Sequence, residues 1–105
     1  MEIKEWVERC YTNAKEHGFI DQVRSFSHDI AMCHCELSEA LQCFREEEPY
    51  IYEEDGKPEG VAVELADTLF RIFTICGERN IDIEEAMERK YQYNLKRPWM
   101  HGKKF

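Results

Sequence analysis

The chain is expected to fold as an all-α bundle of four main helices, and three observations carry that expectation. Apolar residues recur at spacings of three and four along four separate stretches. No stretch alternates convincingly with the period of two that a half-buried strand shows. Gly and Pro number only five and three, as suits a compact, helix-rich chain. At 105 residues and 12.6 kDa the sequence reads as a single domain over 1–105, near the lower size at which a chain buries a core unaided. Help from a second copy is therefore expected.

The first helix spans Glu2 to about His17, with Ile3, Trp6, Val7, Cys10, Tyr11 and Ala14 as its buried stripe and Gly18 as its stop. After the link F-I-D-Q, a second runs from about Ser25 to Glu46, carrying Phe26, Ile30, Leu37, Leu41 and Phe44 in one stripe before Pro49. The loop P-Y-I-Y-E-E-D-G-K ends in a turn signal at Asp55-Gly56. Pro58 suits the first turn of a third helix that extends to about Glu78, with Gly77 near its end. A fourth opens at Asp82, which can cap it with Glu85 as reciprocal partner, and runs to about Leu95 before Arg97-Pro98. The tail W-M-H-G-K-K-F is expected to be extended.

A net charge of -8 argues against binding nucleic-acid polymers, which need a basic face, so an anionic ligand would need a metal or a local basic strip. No signal-peptide pattern and no run of eighteen apolar residues is present, and a cytoplasmic protein without a membrane span is expected. Cys10, Cys33, Cys35, Cys43 and Cys76 are an odd, irregular set that suits reduced thiols, and Cys33-His34-Cys35 lacks the turn-spaced ligands of a zinc site.

Six acid-x-x-acid pairs occur, and four of them fall at helix starts or on solvated faces, where acids are expected. The other two differ in their surroundings. Glu36 and Glu39 stand about 60° apart on a helical wheel with Met32 and Cys43 between them. In the third helix Glu64, Asp67, Arg71 and Thr74 occupy one narrow stripe of an otherwise apolar circumference. Four carboxylates drawn together repel and resist desolvation, so they face water, pair with Arg71, or enclose a cation. Hard oxygen ligands suit Mg²⁺, with Mn²⁺ as the alternative. On spacing alone the metal and the wet or Arg71-paired groove both stand. No Glu-x-x-His motif of a di-iron bundle is present.

Lys90, Asn94 and Arg97 share one face near the end of the fourth helix, with Tyr93 beside them. Such a strip can hold phosphate oxygens by charge-assisted hydrogen bonds or simply complement the helix dipole.

Taken in order, C-E-L-S-E-A-L, K-P-E-G-V-A-V-E-L-A-D-T-L-F-R-I and K-Y-Q-Y-N-L-K-R-P-W-M-H-G-K-K-F resemble the MazG-like family of all-alpha nucleoside triphosphate pyrophosphohydrolases, from about His17 onward. Glu-x-x-Glu is followed after 24 residues by Glu-x-x-Asp, and then by Lys-x-x-x-Asn. The resemblance implies that Glu36, Glu39, Glu64 and Asp67 serve catalysis as Mg²⁺ ligands and that Lys90, Asn94 and Arg97 contact the triphosphate or sugar. It implies a hydrolase converting a (d)NTP to the monophosphate and pyrophosphate by water attack at the α-phosphorus, built as a homodimer or as a homotetramer made of two dimers. The family's first motif often reads Glu-Glu-x-x-Glu, whereas Cys35 precedes Glu36 here, so a non-catalytic nucleotide-binding or structural dimer of the same fold is the alternative. Trp6, His34 and Trp99 are candidates for contacting a base.

Overall fold

The structure is a computed structural model that describes residues 1–20 and 24–103. The described residues form four α-helices, a two-stranded hairpin and a short 3₁₀ turn. Helix α1 is Ile3–Glu16, α2 Phe26–Arg45, α3 Val61–Arg79 and α4 Ile83–Leu95; strands β1 (Tyr52–Glu54) and β2 (Lys57–Glu59) separate α2 from α3. Asp21 and Gln22 of the link after α1 lie outside the described residues. None of the described helices is long and apolar enough to cross a membrane.

Local chemistry explains most element ends. Ser25 caps α2 by accepting from the His28 amide at 3.0 Å, and Asp82 caps α4 by accepting from the Glu85 amide at 3.1 Å. Asn80, left-handed at φ 55, ends α3. Gly77, near the end of α3 as expected, serves packing. It lies inside α3 where α1 crosses, and a Cβ there would stand 2.6 Å from the Tyr11 Cβ, so its missing side chain lets the two helices approach.

Two expectations need correction. The segment before α3 is no plain loop, and Pro58 does not open the helix: Asp55 and Gly56 both take positive φ, closing a two-residue turn that pairs Tyr52 with Glu59 and Glu53 with Pro58 in antiparallel register. The Tyr52 hydroxyl donates to Glu48 and ties this hairpin back to the end of α2. Gly60, at φ 116, then swings the chain into α3. Over its described residues the tail is not simply extended either, and Lys104 and Phe105 lie outside them. Pro98, in extended conformation, is followed by a 3₁₀ turn over Trp99–Gly102.

Helix α3 is the centre of the molecule, packed on one side by α1 and on the other by α2. Its Phe73, Ile75 and Cys76 are buried together with Ala14, Cys33 and Ala40. The apolar stripe of α2 does not pack into the described core. Ile30, Leu37, Leu41 and Phe44 face outward, Leu41 and Phe44 with 58% and 60% of their surface exposed, while Asp29, Cys33 and Ala40 are the residues α2 buries. Small side chains at 33 and 40 suit close approach to α3, which the larger stripe would prevent. Helix α4 buries no residue, touches the rest chiefly through α1, and leaves Met87, Tyr91 and Leu95 exposed.

Gly60 tests the hinge between hairpin and helix. A Cβ there would meet the Tyr50 carbonyl oxygen at 2.3 Å, on a backbone that disfavours any side chain. Gly60→Ala is expected to cost about 2–3 kcal/mol, read as a lower urea midpoint at unchanged slope; an unchanged midpoint would mean that the hinge is not held as described.

Candidate functional site

The face that α2 turns inward carries Asp29, Cys33, Glu36 and Ala40, and the face of α3 that meets it carries Glu64, Asp67, Thr68 and Arg71. Packing these two helices therefore brings their acids together. Glu36, Glu64 and Asp67 each place a carboxylate oxygen within 4.8 Å of the others, and all three side chains are partly buried. Glu39 is exposed at the rim, outside the converging trio. Cys35, in the position before Glu36, is exposed.

Arg71 occupies part of this cluster. Its Nε donates to Glu36 Oε1 at 2.8 Å, leaving the second oxygen of Glu36. Glu64 Oε2 is buried without any partner. The Glu64 backbone is fixed at both ends: its amide donates to the Gly60 carbonyl at 3.0 Å, and its carbonyl accepts from Thr68 Oγ1 at 3.0 Å.

The three acids titrate apart. Burial pushes Glu64 up to about 7, reinforced by hydrogen bonding with Glu39 and Glu36 and by the charges of Glu39 and Asp67. Burial also raises Asp67, as does Glu36, while Arg71 and Lys57 pull it back. Burial acts on Glu36 in the same sense, yet Arg71 and hydrogen bonds with Glu39 and Glu64 outweigh it and hold Glu36 below its ordinary value. The cluster therefore has one carboxylate firmly ionised and one ready to give up a proton near neutrality.

A cavity of about 740 Å³ begins at Glu36 and Asp67 and fills the trough between α1 and α2, with α3 as its floor. Trp6 and Phe70 form an apolar wall, their rings stacked with centroids 5.7 Å apart and 28° between planes. Of the three residues considered for base contact, only Trp6 lines the cavity; His34 is exposed on α2, and Trp99 is 88% exposed beyond α4.

Lys90 and Arg97 gather around Tyr93, 4.9 and 5.4 Å from its ring centroid, and Asn94 Oδ1 is buried without a donor. The cations that act on the acids are instead Arg71 and Lys57. Lys57 escaped notice in the sequence because K-P-E-G reads as the approach to a helix. The hairpin places it beside Glu59 at 3.3 Å, where Glu64 and Asp67 add to the negative field around it. Asp29 escaped notice too, since an acid in the first turn of a helix is ordinary; its seven-residue spacing from Glu36 was the available signal.

The raised Glu64 fixes a sign for pH dependence. Folding lifts this group from an ordinary 4.5 to about 7, so between those values the folded chain holds more proton than the unfolded one and stability falls as pH rises. Without divalent cation, Glu64→Gln is expected to flatten the fall in melting temperature from pH 5 to pH 8 and to melt above the unsubstituted protein at pH 8. Parallel curves for the two proteins would show that Glu64 is not strained in this way. Comparison with family models, with curated proteins and with solved structures matched none of them to this chain, so the reading of the site rests on its residues.

Proposed function

We propose that this protein is a Mg²⁺-dependent nucleoside triphosphate pyrophosphohydrolase that converts a (d)NTP to the monophosphate and pyrophosphate. The observation that carries the reading is the convergence of three carboxylates from two helices, two of which, Glu36 and Asp67, line a cavity large enough for a nucleoside. The order of motifs shared with the MazG-like family supports the same reaction. The donor set suits Mg²⁺ or Mn²⁺: three hard oxygens lie together, and one buried oxygen of Glu64 lacks any partner.

Glu36, Glu64 and Asp67 would hold the ion. When bound, it would neutralise phosphate oxygens and lower the pKa of water, the chemistry that attack at the α-phosphorus needs. Arg71 holds Glu36 in place through their 2.8 Å ion pair and keeps it ionised. Glu39, next to Glu64 yet outside the trio, is the carboxylate left to accept the proton of the attacking water. Lys57, on the hairpin beside the acids, supplies charge for the departing pyrophosphate, whereas Lys90, Asn94 and Arg97, around Tyr93 and off the cavity wall, are assigned to the triphosphate or sugar by the family resemblance alone.

The active unit is proposed to be a homodimer, two of which can pair as a tetramer. The outward stripe of α2 is the surface a second copy would cover, because Ile30, Leu37, Leu41 and Phe44 share one apolar face and no large side chain among the described residues is fully buried. A cytoplasmic setting is consistent with five free thiols.

Pyrophosphate release from a panel of (d)NTPs with Mg²⁺ tests the activity. Glu64→Ala and Asp67→Ala are each expected to lower kcat/KM at least about 100-fold, whereas Glu39→Gln should lower kcat while leaving the Mg²⁺-induced rise in melting temperature intact. Tight triphosphate binding without product would identify a binding module instead, and full activity in the alanine variants would refute the assignment. For the dimer, Leu37→Lys with Leu41→Lys is expected to shift the mass in light scattering from two chains to one. A wild-type chain that is monomeric at micromolar concentration would contradict it.

A further inference from the structure

The cavity wall holds a second polar group away from the acids. Asp29, with its side chain only 9% exposed, accepts from Arg24 Nε at 3.0 Å through Oδ1, and Arg24 Nη2 reaches Glu78 on α3 at 3.0 Å. The helix dipole and the Arg24 pair account for the carboxylate and for Oδ1. They do not account for Oδ2, which is buried with no hydrogen-bond partner. An ion-paired carboxylate that leaves one oxygen unsatisfied is costly unless something else uses it. Asp29 and Arg24 are both part of the cavity wall.

Spacing ties this group to the acids. Asp29 precedes Glu36 by seven residues on the same face of α2, about 10 Å along the helix axis, and Thr74 follows Asp67 by the same interval along the floor of α3. That interval is comparable to the reach from a nucleotide's 5′-phosphate to the far edge of its base. Trp6 and Phe70 line the way between as flat apolar surfaces.

We infer that the cavity receives the nucleobase and that Asp29 selects a base bearing an exocyclic amino group over one with an oxo group at that position. Cytosine N4 and adenine N6 each present the N–H donor that Oδ2 lacks, whereas the uracil O4 and hypoxanthine O6 oxygens would meet it as a second acceptor. Oδ2 is shut off from water in this structure, so the contact requires the wall to yield there. The inference rests on reading the acids as the phosphate end of the site.

Asp29→Asn is the informative substitution. Its amide oxygen still accepts from Arg24 Nε, while its NH₂ turns the open position from acceptor to donor. With Mg²⁺, the unsubstituted protein is expected to favour dCTP over dUTP, and ATP over ITP, at least about tenfold in kcat/KM, and Asp29→Asn to lower both ratios at least tenfold. Ratios near one in the unsubstituted protein, or unchanged in a variant whose helicity shows that it is folded, would overturn the base assignment while leaving the hydrolase reading in place. Should Asp29→Asn fail to fold, the two substrate ratios of the unsubstituted protein decide alone. If no nucleotide is turned over, calorimetry with the α,β-imido analogues of dCTP and dUTP decides. A tenfold preference for the amino base supports the inference, equal binding overturns it alone, and no binding overturns it together with the hydrolase reading.

Discussion

Carboxylates whose oxygens lie within 4.8 Å of one another repel, and the pairing of α2 with α3 holds three of them in that arrangement. Much of the structure bears on this conflict. Cys33 and Ala40 are buried small residues on the α2 side of the contact, Gly60 and Thr68 fix the backbone of Glu64, and Arg71 keeps Glu36 ionised. What remains unrelieved is left on Glu64, which is pushed up to about 7 and has one oxygen with no partner. In the absence of a cation, the proton that Glu64 retains near neutrality and the Arg71 pair on Glu36 relieve part of the repulsion; in the proposed reading an ion takes the place of that proton.

The same pairing sets the surface of the molecule. Since α2 spends its inner face on acids and small residues, its large apolar side chains are turned outward. With α3 occupied by α1 on one side and α2 on the other, the trough between the outer helices stays open as a cavity leading away from the acids. A second copy covering the α2 stripe would complete the burial that a chain of this size does not achieve internally. The site and the proposed interface are thus two faces of one helix.

Helix positions were legible because caps and breakers acted locally: Ser25, Asp82 and Pro98 mark their boundaries in the sequence and in the structure. The stripe containing Glu64, Asp67 and Arg71 was legible as well, since few polar positions interrupt α3. The sense of α2 was not. Periodicity places Leu37 and Leu41 on one apolar face without saying whether that face meets this chain or another, and the structure turns it outward. The hairpin was missed because Pro58 fits a first helical turn as well as an edge strand, and only the paired turn at Asp55-Gly56 decides between them. Asp29 and Lys57 acquire meaning from elements far away in sequence, which no local pattern reports.

Manganese binding addresses the central claim most directly, because it senses the acid cluster without requiring a substrate. Titration of Mn²⁺ into the protein at pH 8, followed by loss of the free-ion EPR signal, is predicted to show a bound ion whose affinity falls at least about tenfold in Glu64→Gln and Asp67→Asn. Glu53→Gln, on the exposed strand β1, should leave it unchanged. Absence of bound ion, or equal loss in all three variants, would contradict the account.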